Sequence, residues 1–234
     1  MSRMKKSALA VSTLAMFAAS AAYADVAFNA GVVSDYRFRG VSQSASDPAL
    51  QGGIDFTDKS GLYLGAWGST IDFGLVDADI EIDLYGGYKW KAANIDWDLG
   101  LIHYAYPSSD SAADLPFTEL YIGGTKGPVT IKYAYSPDFT GTNDEPASYL
   151  SIAGNIDLGS GYTLGLSAGL SKGDGLIGAG LSDDSYTDYK IGVSKDFAGV
   201  TFNLSYIDTS GLVEITTDEF NTEGTVVLTV SKTF

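Results

Sequence analysis

Charged residues recur at every second position along residues 79–91, where Asp79, Glu81 and Asp83 alternate with apolar side chains. Successive side chains of a β-strand point to opposite faces, so this pattern predicts a strand with one carboxylate face and one apolar face. A helix would distribute the same residues around a cylinder. A row of carboxylates that faces a water-filled space attracts cations, so ion binding or ion selection is the chemistry that these residues offer.

A second alternating set contains both signs of charge: Asp35, Arg37 and Arg39. The pattern predicts a first strand from about Phe28 to Gly40. Arg37 and Arg39 would lie one strand repeat apart, about 7 Å, where two guanidinium groups suit an anionic solute. Asp35 and Glu223 would neutralise one of them. The apolar face of this predicted strand holds Phe28, Ala30, Val32, Tyr36 and Phe38.

Further charged residues fall on the polar face of later predicted strands. The full set of candidate pore-lining residues is Asp35, Arg37, Arg39, Asp79, Glu81, Asp83, Asp96, Asp98, Lys132, Asp188 and Lys190. Carboxylates outnumber cations in it. Two readings remain open: the charges select solutes, or they pair across the interior and brace it.

No residue pattern indicates an enzyme. The chain has no Cys, which excludes disulfides, thiol catalysis and thiolate metal sites, and its only histidine is His103. An outer-membrane phospholipase uses a Ser two positions after the His, where this chain has Ala105. We therefore expect no catalytic residue, metal or cofactor. Acidic connecting segments offer oxygen ligands for Ca²⁺ or Mg²⁺, but their spacing is irregular and favours solvated surface charge.

The first 24 residues have the pattern of a signal peptide. Arg3, Lys5 and Lys6 precede a short apolar run, and Ala22 to Ala24 supplies small residues for cleavage after Ala24. Residues 25–234 are then predicted to form a single domain. Loss of the three basic residues changes the formal net charge from −15 to −18, which disfavours nucleic acid as a partner.

Connection lengths along residues 25–234 alternate between short and long. Twelve strands are predicted, and the connections after even strands have about two to four residues, whereas those after odd strands have about seven to fourteen. Short turns at one end and long loops at the other are typical of outer-membrane barrels, and a Greek-key sandwich has no reason to show them. The sequence predicts an all-β fold, a transmembrane antiparallel up-and-down β-barrel of twelve strands.

Aromatic residues on the apolar faces cluster towards the predicted strand ends, as expected for interfacial girdles. Lys195 and Lys232 are exceptions on that face, close to the turn end, where a long side chain reaches the interface. The predicted girdle at the loop end contains Tyr36, Phe38, Tyr133, Tyr135, Tyr189 and Tyr206.

Three blocks of the sequence resemble the TorF family of porin-type outer-membrane barrels: residues 34–43, 48–53 and 83–88. The resemblance covers most of residues 25–234 and implies a barrel that passes small solutes, without catalytic residues. The C-terminus is similar to the assembly signal of outer-membrane proteins, in which alternate apolar residues precede a final aromatic one. The matching residues are Val226, Leu228, Val230 and Phe234, and Lys232 departs from the pattern.

Together these observations predict a porin-like channel for passive diffusion of small hydrophilic solutes in a bacterial outer membrane. Weak cation selectivity is expected from the excess of carboxylates. The alternative is a non-conducting structural or binding barrel whose loops contact partners outside the cell. Expected partners are outer-membrane lipids, lipopolysaccharide, the barrel-assembly machinery and small solutes.

Overall fold

The computed structural model describes residues 25–74, 78–107, 115–141 and 144–234; the predicted signal peptide lies outside these residues. The strands are β1 (Asp25–Val33), β2 (Arg37–Phe38), β3 (Val41–Ser42), β4 (Ala49–Thr57), β5 (Leu62–Thr70), β6 (Ile80–Ala92), β7 (Ile95–Ala105), β8 (Phe117–Lys126), β9 (Val129–Ser136), β10 (Ala147–Gly159), β11 (Tyr162–Lys172), β12 (Ser185–Phe197), β13 (Val200–Ser210) and β14 (Thr225–Thr233). A 3₁₀ turn (Phe139–Gly141) and a short helix, α1 (Asp174–Gly178), lie in the long connections. None of the helices described is long and apolar enough to cross a membrane.

Twelve of these strands, β1 and β4 to β14, form one closed antiparallel barrel in which sequence neighbours pair. The first and last strands close it, with Val32 opposite Val230, and Phe234 N–H donates to the carbonyl of Phe28 at 2.8 Å. Closure removes the unpaired edges that an open sheet would present. The predicted twelve-stranded up-and-down barrel is confirmed.

The wall follows the alternation of the sequence. On β6, Leu84 and Tyr88 are exposed on the outer surface, whereas Glu81 and Asp83 are buried inside. The same alternation recurs on the other long strands, so the outer surface is a continuous apolar band. Representative exposed members are Leu50, Leu64, Leu101, Leu120, Ile131, Ile152, Ile191, Leu204 and Leu228. Such a band suits a lipid environment, because contiguous apolar patches of this extent are rare on soluble monomers.

The short turns all lie at one end of the barrel, the end at which β1 begins and β14 ends. Ala93 and Asn94 both have positive φ, 53° and 60°, as do Ser160 and Gly161, 55° and 80°. Two-residue turns with both central φ values positive have the twist of antiparallel strands, which explains why so few residues suffice.

Residues 34–48, hereafter the inner segment, leave the wall and fold into the barrel. The prediction of a first strand that continues to Gly40 is wrong, because β1 ends at Val33 and the two-residue strands β2 and β3 form a separate hairpin. The placement of Tyr36 and Phe38 in an outer aromatic girdle is also wrong. Tyr36 is buried, and Phe38 packs on buried Tyr104 inside the barrel.

Candidate functional site: the barrel interior

The inner segment crosses the bore and contacts strands on several sides. Tyr36 packs edge-on against Trp67 of β5, with ring centroids 5.5 Å apart. Gly40, with φ of 86°, lies so close to β12 and β13 that a Cβ there would meet Asp188 at 3.2 Å and collide with Thr209. A glycine is therefore required where the segment approaches the far wall.

Arg39 ties the inner segment to β8. Its Nη2 donates to both carboxylate oxygens of Glu119, at 2.6 and 2.7 Å, and only 2% of Glu119 is exposed. The guanidinium also lies over the rings of Phe38 and Tyr149, 4.6 and 4.2 Å from their centroids. An ion pair removed from water in this way is costly to break from one side, because the remaining charge stays buried.

Arg37 ties the inner segment to the chain that leads into β14. Its Nε donates to Asp35 at 2.6 Å, and its Nη1 donates to the carbonyls of Gly40, Asn221 and Glu223, each at 3.0 Å. The two arginines thus diverge to different partners. The predicted ladder of Arg37 and Arg39, one strand repeat apart on a wall strand, is not formed, because neither residue belongs to the wall.

Tyr36 provides a third contact, to β6. Its hydroxyl donates to Glu81 Oε1 at 2.6 Å. Burial raises the pKa of Tyr36 well above its ordinary value, and the nearby charges of Glu81 and Asp83 add to the effect. The phenol therefore stays protonated at neutral pH and can donate to Glu81.

The interior is filled at the loop end and open at the turn end. Inward residues near the loop end are buried, such as Tyr149 and Ala147 on β10, whereas Asn155 and Asp157 farther along the same strand are exposed. On β6, exposure likewise increases from buried Glu81 to Lys91. The bore is therefore a vestibule that opens at the turn end and is narrowed by the inner segment towards the loop end.

The vestibule wall from β4 to β9 carries a network of tyrosines, carboxylates and lysines. The Tyr63 hydroxyl donates to Asp98 at 2.6 Å and also hydrogen-bonds the Tyr121 hydroxyl. The Tyr85 hydroxyl donates to Asp55 at 2.5 Å. Lys132 lies over the Tyr121 ring, 3.8 Å from its centroid. Strands β10 to β13 contribute small residues around a recess of about 20 Å³, room for about one water. They are Ala153, Asn155, Ser167, Gly192, Asn203 and Ser205.

Inward glycines give these tyrosines their space. Gly100 is paired with Tyr121, and a Cβ at Gly100 would lie 2.6 Å from the Tyr121 hydroxyl oxygen and 2.8 Å from the carbonyl oxygen of Gly86. Gly65 is likewise paired with Tyr85, whose ring occupies the volume of the absent Cβ. A tyrosine opposite a glycine can therefore lie flat along the wall and reach its hydrogen-bond partner, Tyr63 for Tyr121 and Asp55 for Tyr85.

We expect Gly100→Ala to destabilise the barrel by about 1–3 kcal/mol, the usual cost of overpacking. The added methyl group would displace Tyr121 and press on backbone that cannot move freely. Gly123→Ala is the matched control, since Gly123 is also inward-facing and the nearest atom to its added Cβ is the carbonyl oxygen of Ile131 at 3.6 Å. Urea unfolding in detergent micelles would measure both changes. Equal midpoints for the two variants would contradict this account of the glycines.

The candidate residues occupy three kinds of position. Asp35, Arg37 and Arg39 belong to the inner segment; Glu81, Asp83, Asp98, Lys132, Asp188 and Lys190 are on inward positions of the wall. Asp79 lies before β6 and is exposed, whereas Asp96 has the inward parity of β7 but lies at the open turn end, where it is exposed and forms an ion pair with Lys91 at 3.0 Å. Glu119, which the sequence interpretation missed, is the principal partner of Arg39. The only signal for Glu119 in the sequence was the alternation of residue types along β8, which would place it on the inner face.

The described residues contain no group of three or more His, Cys, Asp or Glu placed to hold a metal ion. His103 is exposed on the outer face of β7, and its Nδ1 lies 2.9 Å from the hydroxyl of Thr118 on β8. It therefore points away from the bore and its charged residues.

Solved structures with a similar fold include a porin and an outer membrane channel. The KdgM porin aligns with a TM-score of 0.53 at 9% identity, over 89% of this chain and 97% of that one. An outer membrane channel from Pseudomonas putida F1 aligns with a TM-score of 0.51 at 11% identity, over 92% of this chain and 97% of that one. At these identities the likeness concerns the fold alone.

No curated protein matches the sequence. One family model matches residues 17–234, and thus spans the whole barrel. The chain belongs to the family described as "Bacterial protein of unknown function (Gcw_chp)".

Proposed function

We propose that this protein is a porin-like channel of a bacterial outer membrane, through which small hydrophilic solutes diffuse passively. The observation that carries the proposal is a charged, water-accessible vestibule inside a closed barrel with an apolar outer band. Barrels of eight strands fill with side chains and those of sixteen or more leave a channel, so twelve strands suit a narrow bore. The resemblance to the TorF family and the porin fold of the structural neighbours support the same proposal.

Weak cation selectivity follows from the balance of charge on the inner surface. Asp35 pairs with Arg37, and Glu119 pairs with Arg39. Among the other inward residues described, the carboxylates outnumber the lysines: they include Asp55, Glu81, Asp83, Asp98, Asp157, Asp188 and Asp196, against Lys89, Lys132 and Lys190. A bore with an excess of one charge concentrates counter-ions and repels co-ions.

Reconstitution in a planar bilayer tests the channel and its selectivity together. We expect discrete current steps and, in a salt gradient, a reversal potential on the cation side. Replacing Arg37 and Arg39 together by Ala should move the reversal potential further towards cations, because two positive charges leave the bore. Chloride selectivity of the unmodified protein would contradict the charge argument, and the absence of current steps would contradict the channel.

The inner segment is the specific observation that favours a second function. Its buried arginines and aromatic contacts fill the loop half of the bore, as expected for a non-conducting barrel that binds partners through its loops. The same bilayer measurement separates the two functions, since a non-conducting barrel gives no current steps.

Membrane insertion would depend on the outer surface and the C-terminus. The apolar band would contact outer-membrane lipids and lipopolysaccharide, and Val226, Leu228 and Phe234 are exposed on that surface. Lys232, the exception in the assembly pattern, lies 4.8 Å from the centroid of the Phe234 ring. This contact keeps the ammonium group near the turn-end interface, so the proposed recognition by the barrel-assembly machinery tolerates it.

A further inference from the structure

Asp83 has an unusual environment on the inner wall of β6. In the register of the sheet it stands directly between Trp67 of β5 and Tyr104 of β7, whose side chains also face inward. Only 5% of Asp83 is exposed, and its Oδ1 atom makes no hydrogen bond within the described residues. A buried carboxylate oxygen without a donor is costly unless a ligand supplies one.

The acidic neighbours of Asp83 favour a cation as its ligand. The charged groups that act on it most strongly are Glu81 and Glu119, both carboxylates. Glu119 is neutralised by Arg39, whereas Glu81 accepts hydrogen bonds from the hydroxyls of Tyr36 and Tyr106 and from no basic side chain that the structure records. No described ion pair therefore supplies a positive partner to the carboxyl groups of Asp83 and Glu81.

An organic ammonium group fits this site better than a metal ion. Ca²⁺ requires six to eight oxygen ligands, and Glu81 is already engaged by two tyrosines. Tyr104 is stacked on Phe117 with centroids 4.3 Å apart, whereas Trp67 has only the edge contact with Tyr36 among the described rings. The Trp67 ring is therefore the one that offers a π face, which attracts cations with an apolar stem. The free Oδ1 of Asp83 is an acceptor that suits an N–H donor, and a primary ammonium group supplies one.

We propose that Asp83, flanked by Trp67 and Tyr104, binds the primary ammonium group of a small solute within the bore. This inference rests on the proposed channel function and names the class of solute that the bore binds beside the inner segment. The inner segment covers the site from the loop end, because Tyr36 packs on Trp67 and Phe38 packs on Tyr104 with centroids 5.6 Å apart. A solute would therefore approach Asp83 from the vestibule side.

The test is block of potassium current by n-butylammonium in the reconstituted full-length protein, with butan-1-ol as the uncharged probe. We expect n-butylammonium to block the current and butan-1-ol to leave it unchanged. Asp83→Asn should weaken the block by about tenfold or more, since it removes a charge-assisted hydrogen bond. Trp67→Leu, which removes a π face and leaves the carboxylate, should weaken it less.

Asp218→Asn is the control, because it removes one carboxylate charge at an exposed position of a connecting segment. Its block by n-butylammonium should match that of the unmodified protein. Equal block in the unmodified protein and Asp83→Asn, with normal current steps, would overturn the site while the channel stands. If neither the unmodified protein nor any variant conducts, the proposed channel function is wrong. Calorimetric titration of n-butylammonium into detergent-solubilised protein then tests whether Asp83 binds the ammonium group. Binding that Asp83→Asn abolishes supports the site, and no binding overturns it.

Discussion

Arg39→Ala should open the loop half of the bore and increase the single-channel conductance. Arg39 joins the inner segment to β8 through two short hydrogen bonds to Glu119, and it also packs on the Tyr149 ring of β10. Its removal leaves Glu119 buried without its ion-pair partner, which costs about 3–5 kcal/mol for an ion pair of this kind. The packed conformation of the inner segment is destabilised by this amount relative to a displaced conformation in which water reaches Glu119.

Single-channel recordings in planar bilayers would measure the change. Lys91→Ala is the control: it breaks the ion pair with Asp96, whose side chains are 66% and 63% exposed, and surface pairs contribute about 0–1 kcal/mol. Its conductance should equal that of the unmodified protein. Unchanged current steps in Arg39→Ala would show that the inner segment does not limit the flow of ions.

The double variant Arg39→Ala with Glu119→Ala separates the ion pair from the inner segment's other contacts. With both charges absent, no buried carboxylate is left unpaired, so much of the stability lost in the single variant should return. If the conductance stays high, the pair itself anchors the segment. If the conductance returns to its original value, the burial of an unpaired Glu119 was what displaced the segment.

The wall of the barrel was predictable because each face of a wall strand meets one environment. On β6 the outer face meets only apolar surroundings and the inner face meets only the bore, so the alternation of Leu84 with Asp83 and Tyr85 encodes the orientation. The turns were predictable for a similarly local reason, since Asn and Gly tolerate positive φ at the two-residue turns.

The inner segment was not predictable from the same alternation. Arg37 and Arg39 alternate with Tyr36 and Phe38 as on a wall strand, but both faces of this segment contact the protein interior. Alternation with a period of two indicates an extended backbone, but it does not indicate whether each face contacts lipid, water or other parts of the protein. Glu119 could not be identified as the partner of Arg39, because the two are separated by 80 positions in sequence and meet only when the segment folds inward.

Ile152→Arg should destabilise the folded barrel in a membrane by about 2–4 kcal/mol, the cost of a charge on the lipid face near the bilayer midplane. Ile152 is 51% exposed on the outer surface of β10, between Ile131 of β9 and Ala168 of β11. The guanidinium would have to enter hydrocarbon there, or thin the bilayer around it to reach water.

Ala153→Arg is the matched control, because Ala153 is the next residue of the same strand and faces the barrel interior beside the small recess. There the long side chain extends past the recess into the vestibule, where the guanidinium meets water, so the variant should fold nearly as well as the unmodified protein. Urea unfolding in phospholipid vesicles measures both free energies. A barrel that spans the membrane must distinguish these adjacent positions, whereas a barrel in water would tolerate Arg better on its exposed outer face. Equal stability of the two variants, or a larger loss in Ala153→Arg, would therefore contradict insertion of this barrel in a bilayer.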